Sequence, residues 1–161
     1  MNFLRFLMLL ALAAWLGALL FFPVVAATAF SALPTSQMAG LVVRGSLLKL
    51  HAMGFICGAI FLVCSVIQNR VILGRIQAFG FSHIAILLML TLTAISQFRI
   101  IPRMDALRAA AGEINLLAPG EPIRAQFDAL HAWSTRAEGG VLVLGILLLY
   151  VTSRRLNAMR P

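Results

Sequence analysis

Four long apolar stretches dominate the chain, at 2–33, 38–68, 74–101 and 122–154, parted by short polar breaks. Each exceeds the roughly 20 helical residues that cross a ~30 Å hydrocarbon core. The first carries Pro23, which removes one backbone hydrogen bond and predicts a kink that a neighbouring helix can accommodate. Its basic start and A-x-A-like end have the look of a signal peptide. The apolar run is longer than the roughly 7 to 15 residues of such a segment, so it is expected to remain as the first span.

The breaks carry their own signals. "LPTSQ" (33–37) interrupts the pattern and supplies helix-start residues, and "QNRVILGR" reads as a short basic turn. Pro102 in "QFRIIPR" marks a bend. Beyond it, Met104, Leu107, Ala111 and Ile114 recur at three or four, with Arg103, Asp105, Arg108 and Glu113 elsewhere on the wheel. That pattern predicts an amphipathic helix over 102–117 lying at the interface. "APGEP" then breaks the chain, and Pro122 suits the first turn of a fourth helix. This helix reaches roughly 50 Å, so its first third projects beyond the hydrocarbon. The pattern as a whole predicts an all-α fold: one integral membrane four-helix bundle over 1–161, with one interfacial amphipathic helix.

Composition agrees. The chain is 61% hydrophobic and 11% charged, with mean hydropathy +0.98. Soluble domains carry about a quarter charged residues, so a soluble globular protein is excluded. The net charge of +8 does not point to nucleic acid, because the basic residues sit at the ends of apolar runs rather than on one polar face. Cys57 and Cys64 lie seven apart on one expected helix, about 10 Å along its axis, beyond disulfide reach. They are expected to be small core residues.

Lysine and arginine are shared almost evenly between the two ends of the bundle, so they do not set its orientation. All five acidic residues, Asp105, Glu113, Glu121, Asp128 and Glu138, fall at one end. The expectation is a bacterial-type inner membrane protein with both termini inside and the acidic end outside. Its immediate partner is the lipid bilayer, with a membrane-protein partner or a second copy as further possibilities.

With that topology, Arg44, Lys49 and His51 on the second helix come near Gln97 and Arg99 on the third, and near Asp128, His131, Ser134 and Glu138 in "FDALHAWSTRAEGG" (127–140). His83 belongs to the other end, about 24 Å from Arg99. Ionisable groups in a bundle face inward and pair or bind something. Two readings follow for His51 and His131. They close a hydrogen-bond network, or they ligate haem iron or, with Asp128 and Glu138, a divalent metal ion. Asp128, three before His131, is placed to orient it. Gly54 and Gly58 allow either a close helix or a flat cofactor, and Arg44 and Arg99 either pair with acids or hold an anionic headgroup or propionate. No nucleophile, base and oxyanion donors converge in the pattern, which argues against a hydrolase.

Several features together resemble the transmembrane protein 205-like family, classed in bacteria as a membrane domain of unknown function. They are Gly17 with Phe21 and Phe22, Phe30 with "ALP" and Gly40, "IIPRMDALR" (100–108) and "FDALHAWS" (127–134). The resemblance implies a small helical bundle with Pro102, Arg103, Phe127, His131 and Ser134 as signature positions, and Glu113 as a further acidic one. It implies no activity. The stretch "RGSLLKLHAMG" departs from the family pattern, which puts His51 outside it.

The leading expectation is a non-enzymatic membrane protein that binds or helps move a small ligand, a metal ion or haem, at the outer end of the bundle. An accessory subunit of a larger membrane complex and a haem-dependent oxidoreductase are the alternatives.

Overall fold

The structure is a computed structural model that describes residues 2–73 and 80–157. The expected start of the third span at 74–79, with Arg75, and Arg160 lie outside the described residues. Helix α1 covers Asn2–Ala32 and α2 covers Ser36–Leu73. Next come α3 (Phe81–Ile95), a π-helical turn (Ser96–Ile100) and α4 (Ile101–Ala111), which form one unbroken helix, then a 3-10 turn (Ile114–Leu116) and α5 (Pro122–Asn157). Among the described residues there is no strand, and four helices are long and apolar enough to cross a membrane.

Local chemistry sets the boundaries. After Pro34, Thr35 Oγ1 accepts the Met38 N–H at 3.2 Å and starts α2. Gly112, at φ +69°, ends α4 in a conformation that L side chains rarely adopt, and its N–H returns to the Arg108 carbonyl at 2.9 Å. Pro122 opens α5 at a position where its missing N–H costs nothing. The loop before it is fastened by Arg124, whose guanidinium donates to the Leu117 carbonyl at 2.6 Å.

Helices α1 and α3 each pack on both α2 and α5, closing a four-membered ring. Trp15, Leu12, Phe61, Ile86, Met89, Val141 and Leu148 fill its centre, all nearly inaccessible. Lipid tails are as apolar as leucine, so burial alone gives helices in a membrane little reason to associate, and close fit has to supply it. Gly54 provides such a fit: a Cβ there would sit 2.7 Å from Cε2 of Trp15. A Cβ on Gly58 would meet Leu90 at 2.6 Å, and one on Gly145 would collide with Leu16. The outward residues, among them Phe21, Val24, Ile56, Val63, Leu87, Val143 and Leu147, are apolar and suit acyl chains.

The segment expected as a separate interfacial helix over 102–117 is instead mostly the continuation of the third helix. Pro102 has no N–H for the Phe98 carbonyl, and its ring is incompatible with a regular α turn at that carbonyl. The π turn immediately before it widens the helix and lets the chain run on rather than bend away. The combined helix Phe81–Ala111 has 31 residues, about 46 Å, against a ~30 Å hydrocarbon core. Its last turns therefore stand beside the first turns of α5 at one end of the bundle, where a cleft opens.

Candidate functional site

The site is built from α2, the π turn and α5. A π turn inserts one extra residue, so the adjacent Ser96 and Gln97 both point inward, toward different helices. Ser96 Oγ lies 3.3 Å from Ser134 Oγ on α5, and both residues are buried. Gln97 Oε1 lies 2.7 Å from Nδ1 of His51 on α2. The other ring nitrogen, Nε2, lies 2.7 Å from Oε1 of Glu138 on α5. His51 is 1% exposed and both its nitrogens are engaged, so it ties three helices together.

The two partners bear on the protonation of His51. A carboxylate only accepts, so Nε2 carries a proton toward ionised Glu138. Nδ1 either donates to the Gln97 carbonyl, which makes the ring an imidazolium, or accepts from the amide N–H2 after a flip of that amide. Either arrangement keeps both hydrogen bonds to the ring. Glu138 uses one oxygen on His51, and its side chain keeps 16% exposure.

About two helical turns from His51, Arg44 Nε and Nη2 reach the two carboxylate oxygens of Asp105, each at 2.6 Å, in a bidentate pair between α2 and α4. Arg108, one turn on, lies 4.0 Å from Asp105, stacks over the Phe127 ring at 4.9 Å, and fills the space beside Gly40. This arrangement fixes α4 against the start of α5.

A cleft of about 650 Å³ runs between these groups. Its walls are largely apolar, with Leu19, Phe22, Phe30, Leu47 and Leu142 among them. Pro23 also lines it, where the ring leaves the Leu19 carbonyl without its helical donor. Gln37, Asn115 and Asp128 line it near the helix ends, with the Asp128 side chain 66% exposed, while Glu138, ten residues further along α5 and close to Leu142, is 16% exposed.

Several expected groupings form and others do not. His51, Gln97 and Glu138 meet. His131 lines the cleft but is exposed, and it lies seven residues before Glu138, about 10 Å along α5. It and His51 therefore do not face one another. Asp128 does not orient His131: its partner is Arg124, at 3.9 Å. Arg44 pairs with Asp105 rather than with Asp128 or Glu138, Arg99 is exposed, and Arg136 stacks on Trp133 at 5.2 Å. Gly54 and Gly58 receive Trp15 and Leu90, which leaves no slot there for a flat cofactor. Among the described residues, no three of His, Cys, Asp and Glu converge as a metal site would require. His83, at the opposite end, bonds Ser65 at 3.1 Å. Asp105 and Arg108 are the site residues that the sequence pattern hid, because a separate surface helix would have turned both toward water.

The sequence model of a family described as a domain of unknown function, DUF4149, matches residues 10–113. The match runs from α1 through α4 and contains Arg44, His51, Gln97, Asp105 and Arg108, while α5 with Glu138 lies beyond it. No curated protein and no solved structure matches the chain.

Proposed function

The chain belongs to the family described as a domain of unknown function, DUF4149, and from that premise we propose that this integral membrane protein is a non-enzymatic binder or carrier of a small amphipathic molecule. The cleft of about 650 Å³ carries the proposal. Its volume falls in the range of small-molecule sites, and it joins apolar walls to a few convergent polar groups. Polar groups at such depth are expensive unless they pair or bind something, and Glu138 has one oxygen committed to His51 and one left for a partner.

In this reading the ligand is organic rather than coordinated to iron or a metal ion. His51 has no nitrogen left for a metal, and His131 stands apart from it. The proposal further places the protein in a bacterial-type inner membrane with both termini inside and the cleft opening outward. Kinship with the transmembrane protein 205-like group, through "IIPRMDALR" and "FDALHAWS", is part of the same reading.

Gly139 offers the test, because it lines the cleft and a Cβ added there meets nothing within 4 Å. Gly139→Trp is expected to keep the fold and block the cavity. Wild-type protein in detergent should bind neutral triphenylphosphine oxide saturably, and G139W should not. Absence of saturable binding in the wild type, or equal binding in both proteins, overturns the proposal.

A further inference from the structure

We infer that the ligand of this cleft is a lipophilic cation, with its charge seated on Glu138 and its apolar body against the walls built by α1, α2 and α5. The inference rests on the cleft being a binding site and adds the ligand's charge.

The balance of charge along the cleft carries it. Two cations, Arg44 and Arg108, and four carboxylates, Asp105, Glu113, Asp128 and Glu138, line the cavity. Both cations are already satisfied by the protein. Arg44 is held bidentate by Asp105, and Arg108 lies over Phe127 with Asp105 at 4.0 Å. An incoming anion would have to break those contacts. The carboxylates are in the opposite position. Asp105 is spent on the two arginines, and Asp128 has only Arg124 at 3.9 Å, at the exposed mouth. Glu138 is the deepest of the four, and among the described residues its single hydrogen-bond partner is His51 on Oε1. Its Oε2 is not among the buried polar atoms left unpaired, so it is reached from the cleft.

Depth strengthens the preference. A carboxylate that is 16% exposed in a cleft lined by Leu19, Leu47 and Leu142 is less well solvated than one in open water, and a cation brought next to it gains more than it would there. The Gln97 amide can meet Nδ1 with its oxygen or, flipped, with its N–H2, so that contact does not require a charged His51. Phe22 and Phe30 on the walls give the apolar part of the cation aromatic surface.

Three probes of similar bulk decide the matter, each measured by equilibrium dialysis against the full-length protein in detergent, with protein-free micelles as blank. They are tetraphenylphosphonium, tetraphenylborate and neutral triphenylphosphine oxide. The cation is expected to bind at least tenfold more tightly than the anion, and G139W to abolish its binding. Glu138→Gln, which keeps the hydrogen bond to His51 while removing the charge, should weaken the cation at least tenfold and leave the neutral probe unchanged. Asp128→Asn at the mouth should change the cation less than threefold. If G139W blocks binding but anion and cation bind alike, the cleft reading stands and the charge inference falls. The inference falls as well if E138Q binds the cation as the wild type does. If none of the probes binds saturably, both readings fall. Charge selectivity is read on the wild type, so the outcome stands even if a variant misfolds.

Discussion

His51 on α2 and Glu138 on α5 are joined at 2.7 Å across 87 residues of chain, inside a histidine environment that is 99% shielded from solvent. The contact couples the floor of the cleft to the packing of the bundle, and its loss should be felt in both. His51→Ala leaves Gln97 and Glu138 without their partner in a poorly solvated site, an expected cost of about 3 kcal/mol. His51→Gln, which retains one amide contact, should cost about half of that. Thermal unfolding in detergent measures the difference, and equal stability of wild type and H51A would show that the histidine holds nothing together.

The Arg44–Asp105 pair is bidentate, but each side chain keeps about a third of its surface exposed, 35% and 31%, so solvent screening reduces its worth. Asp105→Asn should destabilise by about 1 to 2 kcal/mol, roughly 3 to 6 °C in Tm for a chain of this size. Arg44→Lys keeps the charge and loses the fork, and should fall between. A double-mutant cycle between Arg44 and Asp105 should give a coupling above about 0.5 kcal/mol. Strict additivity would place the two residues in separate roles.

The Trp15 ring of α1 lies so close to Gly54 of α2 that a Cβ there would meet three of its atoms within 2.9 Å. The ring is almost fully buried and flanked by Leu12 and Leu16, so it has no flexible end to swing aside. Gly54→Ala should therefore cost about 1 to 3 kcal/mol, even though alanine is the better helix former by about 1 kcal/mol. Trp133 is 60% exposed, so a Trp133→Phe background leaves Trp15 as the reporter. A red shift of its emission upon G54A is expected, and an unchanged spectrum with unchanged stability would mean that the helices part without cost.

The number of helices and the end at which polar groups gather were legible from apolar run lengths and from the breaks at "LPTSQ" and "APGEP". That His51, Gln97 and Glu138 share one level follows from counting residues along antiparallel helices. The partner of each charge did not follow. Pro102 read as the end of a helix because proline usually is one. The π turn before it depends on the fit of neighbouring helices, which a single sequence does not display. Once α4 continues α3, Asp105 turns toward Arg44 and Arg108 toward Phe127, and the arginines assigned to Asp128 and Glu138 find other company. Gly54 and Gly58 read equally well as a cofactor slot or a helix contact, because a gap shows nothing of what enters it. Trp15 and Leu90 do.

Cys57 and Cys64 are 7% and 6% exposed on the core side of α2, so a bulky thiol reagent reaches neither sulfur in the folded protein. Maleimide labelling in detergent should be slow for both and become fast only as the bundle unfolds. Rapid labelling of the native protein would show that α2 opens away from α1 and α3.

Orientation gives the last test. Asn115 is exposed and lines the mouth of the cleft, at the end where the acidic residues gather. With Cys57 and Cys64 replaced by Ala, Asn115→Cys is the one thiol in the chain, and a polar substitution at an exposed position should cost less than about 0.5 kcal/mol. A membrane-impermeant maleimide applied to intact spheroplasts should label it fully if the cleft faces outward. Labelling only after lysis would invert the bundle, putting the purely basic end outside and the entrance to Glu138 in the cytoplasm. Any ligand would then reach the site from within the cell, and the Arg44, Asp105 and Arg108 group lining the cleft would meet cytoplasmic molecules.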